Sequence, residues 1–181
     1  MPSPAEPPIT WTSVVRTATV TLAVFAVAGV VGGWVWAMVT DPPSYRVQTA
    51  LPDPLPADAI VTANFESDAS FLLVAVVGGL VCAVACTALF RARGLVLLAS
   101  VLAGSFLASY LAQLTGTALG PASLTEQATG ASVGDVLTYP IEVNATAVLL
   151  VWPIAAMVGL MLTVSLLTPV PHSAAADPGM H

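Results

Sequence analysis

Four long stretches of the chain are almost free of charged residues, and no other feature constrains the fold as strongly. They cover residues 14–40, 69–90, 94–119 and 144–168. A helix needs about 20 mostly apolar residues to cross a bilayer. In hydrocarbon the backbone must satisfy its own hydrogen bonds, which leaves helices or closed barrels, and barrel strands are only about 9–11 residues long. The sequence therefore predicts an all-α membrane protein with a bundle of four transmembrane helices.

The composition supports the same class. Hydrophobic residues make up 57% of the 181 residues and charged residues only 8%, against roughly 25% charged residues in a soluble domain. The chain has no lysine, and its formal net charge is −6. Nucleic-acid binding needs a basic patch, and a polybasic lipid anchor needs clustered cations. The expected partners are therefore the lipid bilayer and other membrane proteins or a second copy, and no nucleic acid.

Arginine placement predicts the orientation. Arg91 and Arg93 lie in the short link between the second and third stretches, and Arg16 lies near the start of the first. Positive residues stay on the cytoplasmic side, whereas acidic residues have little influence. We therefore expect a multi-pass plasma-membrane protein with loops 41–68 and 120–143 outside and both termini in the cytoplasm. The predicted cytoplasmic segments are a flexible N-terminus at 1–13, the link at 91–93 and a disordered tail at 169–181.

Small residues spaced four apart predict how the helices pack. Helices in a bilayer associate through close packing, which small residues permit, and through a few hydrogen bonds. The third stretch has the longest such series, so we expect it to be the central helix of the bundle. Pro153 is expected to bend the fourth helix near Leu149, because proline removes one backbone donor. The predicted helix-packing residues are Gly29, Gly33, Gly79, Ala83, Gly104, Ala108, Ala112, Gly116, Gly120 and Gly159.

Strongly polar side chains are scarce inside the predicted helices. Gln113 is the one that lies deep within a stretch, with Tyr110 three residues before it and Ser105 and Ser109 on the same helix. These four residues form a candidate intramembrane polar site that could line a substrate path. The alternative is an interhelical hydrogen bond, which contributes about 0.6 kcal/mol on average in a membrane protein.

The two long loops are predicted to form a small β-containing cap outside the membrane. Residues 45–50 and 60–65 are rich in β-favouring side chains and are separated by prolines, which predicts an irregular hairpin. Residues 136–139 also look extended. We expect them to add a third strand to the hairpin, because an isolated pair of strands is marginal in water.

Capping signals mark the ends of several predicted helices. Ser123 and Glu126 form a capping box, which predicts a short helix that ends near Gly130. Carboxylates and hydroxyls also suit the N-termini of the second and fourth long helices. The candidates there are Ser67 or Asp68 for the second, and Glu142 or Asn144 for the fourth.

Patterns of catalytic or metal-binding residues are missing from the sequence. Cys82 and Cys86 share a helix face, but no His, Asp or Glu lies within ten residues to complete a metal set. We interpret them as small packing residues. His172 and His181 lie in the C-terminal tail, and the sequence contains no serine-hydrolase, P-loop or zinc-protease motif. The sequence predicts no enzyme, no catalytic residue, no metal and no cofactor.

Four short motifs lie at or near the ends of the predicted helices, and a fifth lies within the fourth helix. They are Gly33-Trp34 followed by Asp41-Pro42-Pro43, Phe65-Glu66-Ser67-Asp68, Arg91-Ala92-Arg93-Gly94, Leu119-Gly120-Pro121 and Val151-Trp152-Pro153. With this set, the chain from about residue 30 to residue 167 resembles a family of uncharacterised four-span integral membrane proteins of actinobacteria. The resemblance implies the same fold and no catalytic residues, because the family has no established activity to transfer.

The sequence leaves three functions open. Proton relays and ion sites need charged or strongly polar groups within the membrane, and the predicted helices offer few. The leading hypothesis is a non-enzymatic accessory, scaffold or interaction subunit, with the acidic loops as its recognition surface. The alternative is a component of a transporter or an oligomeric pore, lined by the polar residues of the third helix. A weaker hypothesis is divalent-cation binding by the loop carboxylates.

Overall fold

The computed structural model describes residues 10–47, 57–90, 94–129 and 131–167, with the backbone alone for 57–59. Among these residues, four segments are long and apolar enough to cross a membrane, which confirms the predicted helical class. The predicted link at 91–93, the C-terminal tail and most of the N-terminal segment lie outside the described residues. The elements in chain order are α1 (Trp11–Val39), β1 (Ser44–Arg46), α2 (Ala57–Leu89), α3 (Gly94–Leu119), α4 (Leu124–Ala128), β2 (Val136–Thr138), a 3₁₀ helix (Thr146–Leu150) and α5 (Val151–Leu167).

The four long helices form a four-sided bundle. α1 packs chiefly on α3, and α2 packs chiefly on α5. Smaller contacts of α1 with α2 and of α3 with α5 complete the ring. Within each tight pair the two helices run in the same direction, because contacts advance along both helices together: Gly29 meets Ala108, and Gly33 meets Ala112. The bundle therefore consists of two parallel helix pairs.

α3 is the most buried of the four long helices. In its most apolar window 44% of the residues are buried, against 28% in α1 and 33% in the other two spans. It contacts α2 only slightly, however, and forms one side of the ring. α3 therefore does not lie at the centre of the bundle as predicted. Its burial comes mainly from its tight pairing with α1.

Aromatic side chains fill the interior near one end of the bundle. Trp36, Phe71 and Trp152 are fully buried there. The rings of Trp36 and Phe71 meet edge to face, with centroids 5.1 Å apart and planes at 85°, an arrangement that ring quadrupoles favour. This end also carries β1 and β2, and we call it the sheet end.

The predicted hairpin in the first loop is wrong. Helix α2 begins at Ala57, so residues 60–65 are helical and not extended. Ala63 and Ser67 are buried four residues apart, whereas Phe65 between them is 72% exposed. This is the periodicity of a helix with one packed face. The β-favouring side chains misled the prediction, because packing overrides a weak local propensity.

The sheet has two strands in the described part of the chain. β1 and β2 pair antiparallel, with Tyr45 opposite Leu137, so the strand that starts at Val136 does pair with the first loop as predicted. Gln127 closes the outer edge of β2. Its amide nitrogen donates to the Thr138 carbonyl at 2.8 Å, and its Oε1 accepts from the Thr138 N–H at 2.9 Å. One side-chain amide thus takes the place of the expected third strand.

The short helix α4 occupies the position of the predicted capping box. Ser123 is its N-cap: the hydroxyl accepts from the Glu126 N–H and donates to Glu126 Oε2 at 3.1 Å. The predicted end at Gly130 lies outside the described residues. Because α4 carries Gln127, this capping interaction also holds the edge of the sheet in place.

Candidate functional site

The fourth long helix does not begin as an α-helix. Residues 142–150, which we call the approach segment, lead from the sheet end into the bundle, and α-helical structure starts only at Val151. The prediction that Glu142 or Asn144 caps this helix is wrong. The N-cap of the 3₁₀ helix is Ala145, which has no side chain that could accept a capping hydrogen bond. Several backbone groups of the approach segment that lack helical partners are instead hydrogen-bonded by side chains elsewhere in the bundle.

Ser109 supplies one of these hydrogen bonds. Pro153 has no N–H, so the carbonyl four residues earlier, that of Leu149, lacks its α-helical donor. Ser109 of α3 is only 3% exposed, and its Oγ donates to the Leu149 carbonyl at 2.8 Å. The break that Pro153 predicts near Leu149 is therefore present, and a neighbouring helix supplies the missing hydrogen bond.

Helix α2 holds the beginning of the approach segment. The Ser67 hydroxyl donates to the Glu142 carbonyl at 2.9 Å. The two carboxylate oxygens of Asp68 accept from the N–H groups of Asn144 and Ala145, at 3.0 and 3.1 Å. One or the other of these side chains was predicted to cap α2, but the early start of α2 places both inside the helix. They cap the approach segment instead, and we call Ser67, Asp68 and Ser109 the clamp residues.

Helix α1 is tied to the same site. Trp36 Nε1 donates to the Ser67 carbonyl at 3.1 Å. The Ser70 hydroxyl also donates to that carbonyl, at 2.9 Å, and it is hydrogen-bonded to the Thr40 hydroxyl at 2.8 Å. Ser67 therefore connects α1 to the approach segment, with its carbonyl on one side and its hydroxyl on the other.

Trp152, the second residue of α5, places its indole as a wedge against α1 and α2. Its indole lies against Gly32 and Gly78, where an added Cβ would come within 2.8 and 2.7 Å of the ring. Gly79 lies against the Trp152 carbonyl, 2.8 Å from an added Cβ. The indole N–H is buried and has no hydrogen-bond partner in the described part of the chain. The ring is therefore held by its shape, and glycine is the residue that leaves room for it.

The small residues of α1 and α3 face each other at a constant offset in sequence. A methyl group at Gly29 would lie 2.5 Å from the Ala108 carbonyl oxygen, and one at Gly33 would overlap the Ala112 carbonyl oxygen. The two backbones are therefore as close as these residues allow. The same offset places Gly104 against Phe25, and one residue further along Gly116 lies against Trp36.

The remaining predicted packing residues also lie at contacts between elements. A Cβ at Gly159 of α5 would be 3.1 Å from the Cβ of Ala83 in α2. A Cβ at Gly120, just beyond α3, would be 3.2 Å from the side chain of Ile141. Gly120 thus helps to seat the chain that precedes the approach segment.

The four residues of the predicted polar site do not converge. Ser105 is fully buried, and its Oγ donates to the Leu102 carbonyl of its own helix at 2.8 Å. Ser109 is engaged with the approach segment, Tyr110 is 62% exposed, and Gln113 is half-buried. Ser109 and Tyr110 border a cavity of about 350 Å³ beside the 3₁₀ helix, which Ser105 and Gln113 do not line.

The sheet end carries exposed acidic side chains. Arg46 is exposed among them and forms no ion pair with a described residue. The acidic side chains, which we call the acidic surface, are those of Asp41, Glu66, Glu126, Asp135 and Glu142.

Cys82 and Cys86 lie elsewhere, where they are buried and not bonded to each other. The described residues contain no group of three potential metal-ligating side chains.

Sequence reasoning missed the wedge and misassigned the clamp. A signal for the wedge was present in two glycine doublets. Gly32 faces Trp152 while Gly33 faces α3, and Gly78 faces Trp152 while Gly79 faces α5. The first doublet thus contacts two different helices, and the second receives both the indole and the backbone of α5, which a search for glycines four apart does not detect.

Comparisons of this chain with protein-family models, with curated proteins and with solved structures find no match. The geometry of the bundle itself is therefore the basis for inferring a function. Its main features are the clamped approach segment, the filled interior and the acidic surface.

Proposed function

We propose that this chain is a multi-pass membrane protein that acts as a non-enzymatic accessory or scaffold subunit and binds a basic segment of a partner membrane protein through its acidic surface. One observation carries this proposal. The polar side chains within the bundle are largely used to hold its own backbone, whereas the carboxylates of the acidic surface have no cationic partner among the described residues.

The lateral surface of the bundle supports insertion into a membrane. Large apolar side chains point outward all along the helices, for example Leu73 at 65% exposure, Leu95 at 78% and Met161 at 69%. A contiguous apolar surface of this kind is rare on soluble monomers. The protein lies in the plasma membrane with Arg91 and Arg93 on the cytoplasmic side. In this orientation the sheet end faces outward and both termini face the cytoplasm.

The filled interior supports a role without transport by the single chain. A conducting path needs polar or charged lining. Here Trp36, Phe71 and Trp152 occupy the interior near the sheet end, and Ser105 and Ser109 direct their hydroxyls to carbonyl groups. The resemblance to small four-span actinobacterial membrane proteins fits the same proposal.

The charge of the sheet end supports the chemistry of the partner. Complementary potentials guide association and select partners, and repulsion disfavours acidic ones. A surface with five exposed carboxylates and one exposed arginine among the described residues favours a partner rich in lysine or arginine.

Co-purification from native membranes in mild detergent tests this role. The triple variant Asp41→Asn, Glu126→Gln and Glu142→Gln is expected to lose the partner that the unmodified chain retains. The control Arg46→Gln, which makes the same surface more acidic, is expected to keep it. A chain that always emerges alone and monomeric, or a triple variant that keeps the same partner, would contradict the proposal.

A transporter or pore component is the second candidate. The interrupted helix beside the 350 Å³ cavity favours it, because discontinuous helices form the binding sites of many transporters. In that case Tyr110→Leu, which alters an α3 side chain that borders the cavity, should abolish flux in reconstituted vesicles while abundance and folding stay nearly intact. Unaltered flux would reject the residues of α3 as the lining.

A further inference from the structure

A groove of about 470 Å³ runs along the outside of the bundle between α1 and α2. We call it the α1–α2 groove. Valine side chains from both helices form its walls, and Trp152 lies at its floor. The groove exists because α1 and α2 contact each other much less than they contact their own partners. Gly32 and Gly78 contribute no side chain there, and Trp152 fills the gap only from the inner side.

The length of the groove matches one leaflet of a bilayer. It extends from Ala28 to Val39 on α1 and from Cys82 to Ser70 on α2. At 1.5 Å per residue, these stretches are about 16 and 18 Å long. The hydrocarbon core of a bilayer is about 30 Å thick, so one leaflet contributes about 15 Å. The groove therefore reaches from the middle of the membrane to its surface at the sheet end.

The polarity of the groove changes along its length in the same order as that of a phospholipid, from an apolar part to a polar end. Its lining is aliphatic or aromatic over most of its length. The Ser70 hydroxyl lies at the sheet end, where it is hydrogen-bonded to the Thr40 hydroxyl. The polar groups thus lie at the level of lipid headgroups, and the apolar part lies at the level of acyl chains.

The position of the groove favours a lipid as its occupant. The groove opens on the lateral face of the bundle, where the proposed membrane insertion places lipid hydrocarbon against its valine walls. An acyl chain is therefore the occupant that the surroundings supply, whereas a helix of a second copy or of another protein would have to displace it.

We propose that the α1–α2 groove is a lipid-binding site that holds one acyl chain of a phospholipid from the leaflet at the sheet end. The chain lies between the two rows of valines and over the Trp152 indole. The ester region of the lipid lies near Ser70 and Thr40. This inference rests on the proposed membrane insertion and is independent of the proposed partner.

Native mass spectrometry of the full chain, released from nanodiscs of phosphatidylglycerol, tests the site. Loosely held lipid is stripped on release, so the unmodified protein is expected to retain one phospholipid. Ala28→Phe places a ring inside the groove and is expected to reduce the retained fraction at least tenfold. Val27→Phe is the matched control, because Val27 is 64% exposed and lies outside the groove. It is expected to retain the lipid as the unmodified chain does.

Val77→Phe fills the groove from α2 and keeps the test valid if Ala28→Phe does not fold, which circular dichroism would show. Three results would overturn the lipid site: no retained phospholipid, equal retention in the groove-filling variants, or a second copy of the chain in place of the lipid. The proposed partner is tested separately, because loss of lipid by Ala28→Phe with no change in co-purification would leave the accessory role intact.

Discussion

The two parallel helix pairs of the bundle are held together by different means. In the α1–α3 pair, both helices are uninterrupted, and glycine and alanine bring the backbones into direct contact. In the α2–α5 pair, the second helix starts late, and the clamp residues hold the backbone that precedes it. Close packing of small residues is therefore sufficient to hold a pair together where both helices are regular. Hydrogen bonds from neighbouring side chains become necessary where one is not.

The physical reason is the cost of unpaired backbone groups away from water. A regular helix satisfies its own interior N–H and C=O groups, whereas an irregular segment within a membrane is tolerated when protein or a water-filled cavity satisfies them. Pro153 and the 3₁₀ helix leave such groups in the approach segment. Asp68 and Ser109 pair with some of them directly. The account predicts that variants of the two pairs fail in different ways.

The largest effect is expected from Gly33→Leu in the α1–α3 pair. Even a Cβ at this position overlaps the Ala112 carbonyl oxygen, so the two helices must separate. We expect a loss of about 3 kcal/mol or more in the free energy of unfolding, the upper range for overpacking. Reversible unfolding in mixed micelles measures it. Val30→Leu, at a position of α1 that is 46% exposed, should have almost no effect, and equal losses would refute the packing.

Asp68→Ala is expected to have the next largest effect. It removes a charged acceptor from the Asn144 and Ala145 N–H groups, and hydrogen bonds to charged groups contribute about 1.5–3 kcal/mol. Hydrogen exchange should accelerate in residues 142–150 while α1 and α3 keep their protection. Glu66→Ala, an exposed carboxylate two residues earlier, serves as the control. Similar exchange in both variants would argue against the clamp.

Ser109→Ala should cost less, about 1 kcal/mol, since it removes one neutral hydrogen bond. Ser105→Ala is a close match, because both serines are buried on α3 and each donates to a carbonyl. The Ser105 hydroxyl bonds within its own helix, so we expect its loss to leave exchange in the approach segment unchanged. If the two variants behave alike, the bond across the helices has no special role.

Gln127→Ala should have the smallest global effect and a clear local one. The Gln127 side chain occupies the outer edge of β2, so its loss exposes the Thr138 N–H to solvent. We expect faster amide exchange at Thr138 and a change in stability below about 1 kcal/mol. Thr125→Ala, an exposed position on the same short helix, should leave that exchange rate as it is. Unchanged exchange in Gln127→Ala would mean that the edge is closed by something else.

The regular helices and the contacts between small residues could be predicted from the sequence. Charge-free length alone predicts four helices, and glycines four apart lie at the contacts between α1 and α3. These features follow from local periodicity and from the thickness of a bilayer. The Pro153 break was predictable for the same reason, because the missing N–H is a property of one residue.

The clamp and the start of α2 were not predictable in this way. Residues 60–65 carry β-favouring side chains, and only the packing of Ala63 and Ser67 shows that they are helical. Ser67 and Asp68 look like caps for the helix that follows them in sequence. Their actual partners are more than seventy residues away, as the pairing of Ser67 with Glu142 shows. Single-sequence patterns do not encode which distant backbone a side chain meets.

A double-mutant cycle between Ser109 and Pro153 tests whether a neighbouring helix supplies the hydrogen bond that the interrupted helix lacks. If the Ser109 hydroxyl replaces the donor that Pro153 lacks, Pro153→Ala restores an N–H that can reach the Leu149 carbonyl. The account predicts that Ser109→Ala costs about 1 kcal/mol in the native background and less than half of that in the Pro153→Ala background. Equal costs in both backgrounds would contradict the account, because Ser109 would then stabilise the bundle for a reason unrelated to the interrupted helix.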